Sequence, residues 1–331
     1  MIDIERLGGD LLKLTSQPIP RYRILKDILA FPPGSPDLKK ACQGVVSSRW
    51  YGELCFTQQS DGSWGRFHTR NSKVKARFPT TEIALTRALA LGLDRTDPLL
   101  DRTYRYLLSV VEGTQKWPDP PEKHAGWDFN THTISTATLA RLNEQYPLLA
   151  EPARYWSEIV KDTFCNGVYD PQLEQKAHYE RNPGIPKNKH LKLWSLYPIY
   201  LLSTRFAELN EPILDHFLEW IITKPGGIYY VCTDRVDQFP DLHSPHFNSW
   251  LSALELLARF PQAKPFLETA ADWLMGQQNS NRLWDFGSKA NNGYDLPLSA
   301  SRHNPLDRQV DCTVRILNFL NRVIGLSGNV I

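Results

Sequence analysis

No stretch of about 18 consecutive apolar residues occurs in the chain, so no transmembrane helix is expected. Cysteine is scarce and its pattern is unpaired. The five residues, Cys42, Cys55, Cys165, Cys232 and Cys312, are odd in number and include no CxxC. A disulfide framework is not expected, and a reducing cytoplasm is the default setting. Excess charge of either sign is missing too. With 38 basic and 36 acidic residues the formal net charge is +2, too little for a global field that draws nucleic acid or anionic membrane. The opening MIDIERLGGD carries acids and no apolar run, so it does not read as a signal peptide. Strand signals are sparse. The one good candidate is Gly226-Gly227-Ile228-Tyr229-Tyr230-Val231, read as a loop or a short extended piece.

Tryptophan and proline are abundant, at 10 and 24 residues, and many fall in recurrent positions. Gln58-Gln59-Ser60-Asp61-Gly62-Ser63-Trp64 ends one apolar stretch, and Gln278-Asn279-Ser280-Asn281-Arg282-Leu283-Trp284 ends another. Each sets a Gln six residues before a Trp. Trp127-Asp128-Phe129 echoes Trp284-Asp285-Phe286. Around these anchors a helix–loop–helix unit recurs. The second helices are predicted over Thr81–Leu91, His132–Asn143, His190–Leu202, Phe247–Phe260 and Gln309–Val323. Their partners are predicted over Asp37–Phe56, Leu99–Val111, Pro152–Phe164, Pro212–Ile222 and Pro265–Met275. Pro20–Phe31 reads as part of a truncated sixth unit. The helices Thr81–Leu91 and Phe247–Phe260 are apolar around most of their circumference, as an inner layer requires, and Leu99–Val111 and Pro212–Ile222 are more one-sided. No linker or low-complexity segment divides the chain. Stacked hairpins bury one another's faces, which predicts one all-α domain over 1–331, with 1–36 a partial hairpin.

The segment Gln58–Trp64 resembles the QW motif of the squalene–hopene cyclase and protein prenyltransferase superfamily. The second copy is degenerate, with Asn281 and Arg282 in place of Asp and Gly. The resemblance implies an α/α toroid of five to six hairpins in a closed barrel. The motif is a local tie, a Gln amide on a helix end with an indole packed against it, so it speaks to fold rather than to chemistry. In such a toroid the long loops enter the inner helices at one mouth.

The longest loops here precede the predicted inner helices, so they are expected to gather on one face. Gly65–Phe78 carries Arg66, His68, Arg70, Lys73, Lys75 and Arg77 without an acid. Arg181–Lys192 carries Arg181, Lys187, Lys189, His190 and Lys192, again without an acid. Such clusters suit a phosphate, diphosphate or carboxylate, although solvated surface charge explains them equally. Their surroundings lack an RNA-binding pattern. The inner-helix starts offer Glu82, His132, His190, His246 and Asp311, one per unit. Capping accounts for the two acids as well as a pocket does, and for the histidines less well. Trp127 and Trp284 are candidate pocket rings, with packing as the alternative.

Two chemistries implied by the resemblance can be laid on the residues. The proton-donating Asp-x-Asp-Asp of class II cyclases finds its closest match in Pro79-Thr80-Thr81-Glu82-Ile83-Ala84, with Thr81 at the acid position, so that motif is absent. The zinc-binding pattern of the prenyltransferases falls on Ser244–Trp250, pairing His246 with its Cys, and on Asp311 for its His. No ligand is kept in place, so zinc is not favoured, and no metal ligand is assigned. The leading expectation is an enzyme acting on an apolar isoprenoid with an anionic head. Glu82, His132, His246 and Asp311 are its catalytic candidates. Arg66, Arg70, Arg77, His190, Trp127 and Trp284 are its substrate-binding candidates. The alternatives are a hydrolase or lyase on an α/α barrel, or a non-catalytic toroid that binds a ligand or peptide.

Overall fold

A computed structural model describes residues 3–186, 189–288, 294–301 and 303–328. Among these the structure is all-helical. In chain order the α-helices are α1 (Ile4–Leu14), α2 (Pro18–Arg23), α3 (Pro36–Val46), α4 (Arg49–Thr57), α5 (Thr81–Ala90), α6 (Pro98–Val111) and α7 (Trp127–Ala140). They continue as α8 (Ala150–Thr163), α9 (Pro171–Arg181), α10 (Leu196–Thr204), α11 (Glu211–Thr223), α12 (Phe247–Leu257), α13 (Lys264–Met275) and α14 (Pro305–Gly328). A π-helical turn, Ile24–Ile28, extends α2. The only extended pairing among the described residues is a single parallel bridge that joins Tyr229, in the segment read as loop or a short extended piece, to Ser195, in the helix predicted over His190–Leu202. No helix is long and apolar enough to cross a membrane.

The helices follow the predicted periodicity, and the departures have local causes. The expected helix over Asp37–Phe56 is two helices, because Ser47 closes one and Ser48 caps the next, its hydroxyl accepting from Tyr51 N at 3.3 Å. The helix expected from His190 begins only at Leu196. The residues before it are held out of helix, with Leu196 N bonded to Tyr229 O at 3.0 Å. Two helices were not foreseen. Helix α1 buries only Ile4, Gly8 and Leu11. Helix α9 is polar on nearly every side and buries Ala177 and His178. Asp170 caps α9 by accepting from Gln172 N at 2.7 Å.

The chain separates into two compact units. Unit 1 comprises Met1–Thr103, Pro240–Ser249 and Leu267–Ile331. Its core includes Leu54, Phe67, Leu85, Phe247, Trp284, Phe286 and Phe319, all shut off from solvent. The two Gln…Trp segments form matching corners in this unit. Trp64 Nε1 donates to Leu54 O of α4 at 3.2 Å, and Trp284 Nε1 donates to Leu274 O of α13 at 2.7 Å. The backbone N of Trp64 donates to Thr81 Oγ1 at 3.0 Å and that of Trp284 to Thr313 Oγ1 at 3.1 Å. Gln58 Nε2 reaches Gly62 O at 3.1 Å, and Gln278 Nε2 reaches Arg282 O at 3.2 Å. The degenerate copy therefore repeats these three bonds, while Gln58 alone also reaches Leu99 O at 3.0 Å and Thr103 Oγ1 at 3.0 Å. Each corner ties the end of one helix to the helix that follows.

The tight turn inside each corner needs a left-handed residue. Gly62 has φ +92°, and Arg282 takes the equivalent place at φ +59°. A Cβ on Gly62 would lie 2.4 Å from Arg102 O, a backbone atom. Gly62→Ala is therefore expected to cost about 3 kcal/mol, combining backbone strain with a clash that cannot relax by rotamer change. Urea unfolding followed by helicity measures it, and a loss under about 1 kcal/mol would contradict the turn's role.

Unit 2 comprises Tyr104–Phe239 and Trp250–Phe266. Within it α8 packs on α9 and α10, and α7 packs on α10. Trp156, Ile159, Phe164, Phe217 and Ile221 are fully buried. The buried face of α7 is rich in hydroxyls: Thr131, Thr133, Ser135, Thr136 and Thr138. They are tolerated because they turn back onto the helix, as Thr136 Oγ1 does to His132 O at 2.8 Å and Thr138 Oγ1 to Ile134 O at 2.8 Å.

Candidate functional site

Helices α7, α8 and α9 of unit 2 enclose an open cavity of about 360 Å³. The aromatic part of its wall is Phe129, Tyr155 and Trp156. These rings pack edge-on or tilted, with Phe129 and Tyr155 centroids 4.8 Å apart and Tyr155 and Trp156 5.4 Å apart. His132, Glu151, Arg154, Glu158, Arg181 and Asn182 supply its polar groups. Helix periodicity explains the assembly. Glu151, Arg154, Tyr155 and Glu158 recur at three- and four-residue spacing, so they share one face of α8. Phe129, His132 and Thr133 do the same on α7.

His132 and Tyr155 are tuned in opposite senses. His132 is exposed on its open side, and the protein atoms crowding the rest of the ring lower its pKa, with Glu151 pulling the other way. Burial pushes the Tyr155 phenol up to about 12, against the Asn182 hydrogen bond and the Arg181 charge. At neutral pH the imidazole is a free base and the phenol holds its proton. Two titratable groups lining one cavity with pKa values driven apart are the pattern of an acid–base pair.

Behind Tyr155 lies a buried polar chain. The phenol is 2.8 Å from His178 Nδ1. His178 Nε2 lies 3.9 Å from Glu174 Oε1, one turn back on α9. Tyr169 donates to Glu174 Oε2 at 2.5 Å. His178 also stacks on His190, with ring centroids 4.2 Å apart. Burial first, then the His190 and Arg181 charges, drive the His178 pKa down to about 3. With its proton on Nδ1, a neutral His178 donates to the Tyr155 oxygen and leaves the phenol O–H free to turn to the cavity. That arrangement holds the phenol ring in one orientation at the cavity wall.

The sequence candidates fall as follows. In unit 2, His132 lines the cavity, in the second turn of α7 rather than at a helix start. His190 precedes α10 and is buried against His178. Trp127 opens α7 and packs edge-on against Trp117 and His124. Of the second basic cluster, Arg181 pairs with Asp162 at 2.8 Å, and Lys187 lies outside the described residues.

In unit 1, Glu82 lies in the first turn of α5 and meets His68 Nδ1 at 2.6 Å. Asp311, in the second turn of α14, is buried and accepts from Leu298 N, Ser299 N and Ser299 Oγ at 2.9, 2.9 and 2.6 Å. Its carboxylate ties down the segment over 294–299. Arg87 ties the same segment, donating to Tyr294 O at 3.2 Å and Pro297 O at 2.6 Å. Burial lowers the Arg87 pKa to about 10, with Asp295 and Asp311 opposing. Trp50 carries Arg77 and Arg87 near its ring, 4.8 and 4.6 Å from the centroid. Arg77 also pairs with Glu53 at 3.2 Å, Arg70 lies over Tyr294, and Arg66 is half-buried. His246 is exposed just before α12. Trp284 is fully buried with its N–H on Leu274, so this ring packs the corner rather than lining a cavity. No group of three or more His, Cys, Asp or Glu side chains among the described residues is placed to hold a metal ion.

Sequence reasoning missed Tyr155, His178, Glu174, Arg154 and Asn182. The signal was present in part. Glu174 and His178 stand four residues apart, and Tyr155 falls inside a predicted helix, but α9 itself was read as loop. Comparison with known proteins finds no matching family model, no matching curated protein and no matching solved structure.

Proposed function

We propose that this chain is an enzyme built on an α/α toroid that carries out acid–base chemistry at the α7–α8–α9 cavity, as a hydrolase or lyase. The carrying observation is that His132 of α7 and Tyr155 of α8 line the same cavity, with Tyr155 held by His178. His132 is the base and Tyr155 the acid. The recurrent helical hairpins and the two matching corners support the toroid. The five free cysteines support a cytoplasmic setting.

The test starts from a thermal-shift screen of glycosides, esters and hydroxy acids, with turnover then assayed on each hit. His132→Ala and Tyr155→Phe are each expected to lower turnover by about 10²-fold or more. The rate should also fall at acid pH as His132 takes up a proton. Turnover indifferent to both substitutions would remove the proposal.

A second reading is a terpenoid cyclase- or prenyltransferase-like enzyme acting on an isoprenoid with an anionic head. The matching corners favour it, as does the cationic surround of Trp50 near the Gly65–Phe78 loop. Asp311 is already saturated by three donors, which leaves Glu82 beside His68 as the acid of that reading. Stabilisation by prenyl diphosphates, with product lost in Glu82→Gln, would favour it over the first.

A further inference from the structure

We infer that the α7–α8–α9 cavity takes a neutral, polyhydroxylated ligand, a sugar unit presenting its C–H face to the rings and its hydroxyls to the charged rim. The inference rests on the acid–base reading of the same cavity and adds a substrate class to it. Three observations carry it.

The first is charge balance. Arg154 and Arg181 face Glu151 and Glu158 around the cavity. Two cations against two anions leave no net attraction for an anion or a cation. Arg181 and Glu158 are further quenched by Asp162 at 2.8 Å and Lys161 at 2.8 Å. A diphosphate or a lone carboxylate would gain from Arg154 and lose to Glu151.

The second is unspent hydrogen-bonding capacity. The side chains of Arg154, Glu151 and His132 line the cavity, are exposed to solvent there, and have no hydrogen bond or ion pair to another described residue, so a ligand would exchange only with water for them. Together they offer a planar multiple donor, a double acceptor and a switchable ring nitrogen. Neighbouring hydroxyls on a sugar both donate and accept, so they can use all three groups at once. A simple ester or an alkyl chain cannot.

The third is the apolar wall. Phe129 and Tyr155, half-buried, with the buried Trp156 and Pro152 behind them, form the apolar lining of a cavity open to solvent. Such a wall with a few convergent polar groups is the usual build of a small-molecule site. The C–H bonds of a pyranose face fit against aromatic rings as an alkyl surface does.

Calorimetry and amide NMR on the full chain, with maltose and cellobiose as neutral probes, test the inference. Glucuronate, glucosamine and geranyl diphosphate serve as charged probes. At least one neutral probe is expected to bind and to shift the Trp156 indole N–H signal. Its affinity should stay within about twofold between low and high salt, because a neutral ligand gives screening nothing to act on. Arg154→Ala and Tyr155→Phe, which keep the cavity wall, should each weaken binding roughly tenfold by deleting hydrogen bonds. Preferential, salt-sensitive binding of a charged probe would overturn the inference, as would failure of both neutral probes to bind. The two claims fail separately. A charged substrate whose turnover still needs His132 and Tyr155 would end the sugar assignment and leave acid–base catalysis standing. Neutral-sugar binding with turnover indifferent to both residues would do the reverse.

Discussion

Trp284→Ala is expected to destabilise the protein by about 4 kcal/mol, the range for emptying a large aromatic site in a packed core. The ring is fully buried, and its N–H satisfies Leu274 O at the end of α13. Truncation leaves a cavity and takes one of two donors from that carbonyl, which keeps Gln277 N at 3.0 Å. The backbone bond from residue 284 to Thr313 survives, since it needs no side chain. Trp284→Phe should recover about half of the loss by refilling volume without restoring the N–H. Urea unfolding followed by far-ultraviolet dichroism reads both. A loss below about 1.5 kcal/mol in Trp284→Ala would mean that the corner does not hold α13 to α14.

Asp311→Ala should cost about 5 kcal/mol near pH 4 and about 2 kcal/mol near pH 7. Asp311 receives two backbone N–H groups and the Ser299 hydroxyl, and its removal orphans all three. The pH term comes from burial, which outweighs those bonds and raises the carboxyl pKa to about 6 from its ordinary 3.8. A folded pKa above the unfolded one means that the native state holds the proton more tightly. The stability this supplies is complete below about pH 4 and is lost as pH rises through about 6. The shift of about two units corresponds to roughly 3 kcal/mol, which is the difference between the two figures. Unfolding of wild type and variant across this range measures the gap. A gap that widens with rising pH would show that the hydrogen bonds, not burial, govern this carboxyl.

The hairpins were readable because helical periodicity is a local property. Thr81–Leu91, Pro212–Ile222 and Pro265–Met275 carry their apolar residues at helical spacing, and the helices formed within a residue or two of those bounds. The Gln…Trp corners were readable for a similar reason: each of their bonds from the Gln amide and the indole N–H, to Gly62 O or Leu54 O and their equivalents, spans ten residues or fewer. The second corner shows how loosely the motif needs to be written. Arg282 replaces a glycine, yet it takes the same left-handed turn, because the surrounding bonds overdetermine the backbone.

The candidate site was less legible. Helix starts were taken to carry the polar site residues in one register. Glu82 does sit in a first turn, but His132 lies a turn further in, His190 precedes its helix and Asp311 is spent on Ser299. Tyr155 looks in sequence like one more aromatic on an outer helix. Nothing local to it announces a histidine 23 positions away.

The amino-acid order alone set the helices, their corners and the hydroxyl-bearing face of α7, since these rest on periodicity and on bonds between near neighbours. Which side chains share a cavity, and which way their protons lean, was left to the packed chain. Desolvation around His132 and Tyr155 and the contact between Tyr155 and His178 exist only when α7, α8 and α9 come together. Proton affinity depends on the water that distant segments exclude, and no stretch of residues encodes that by its own spacing.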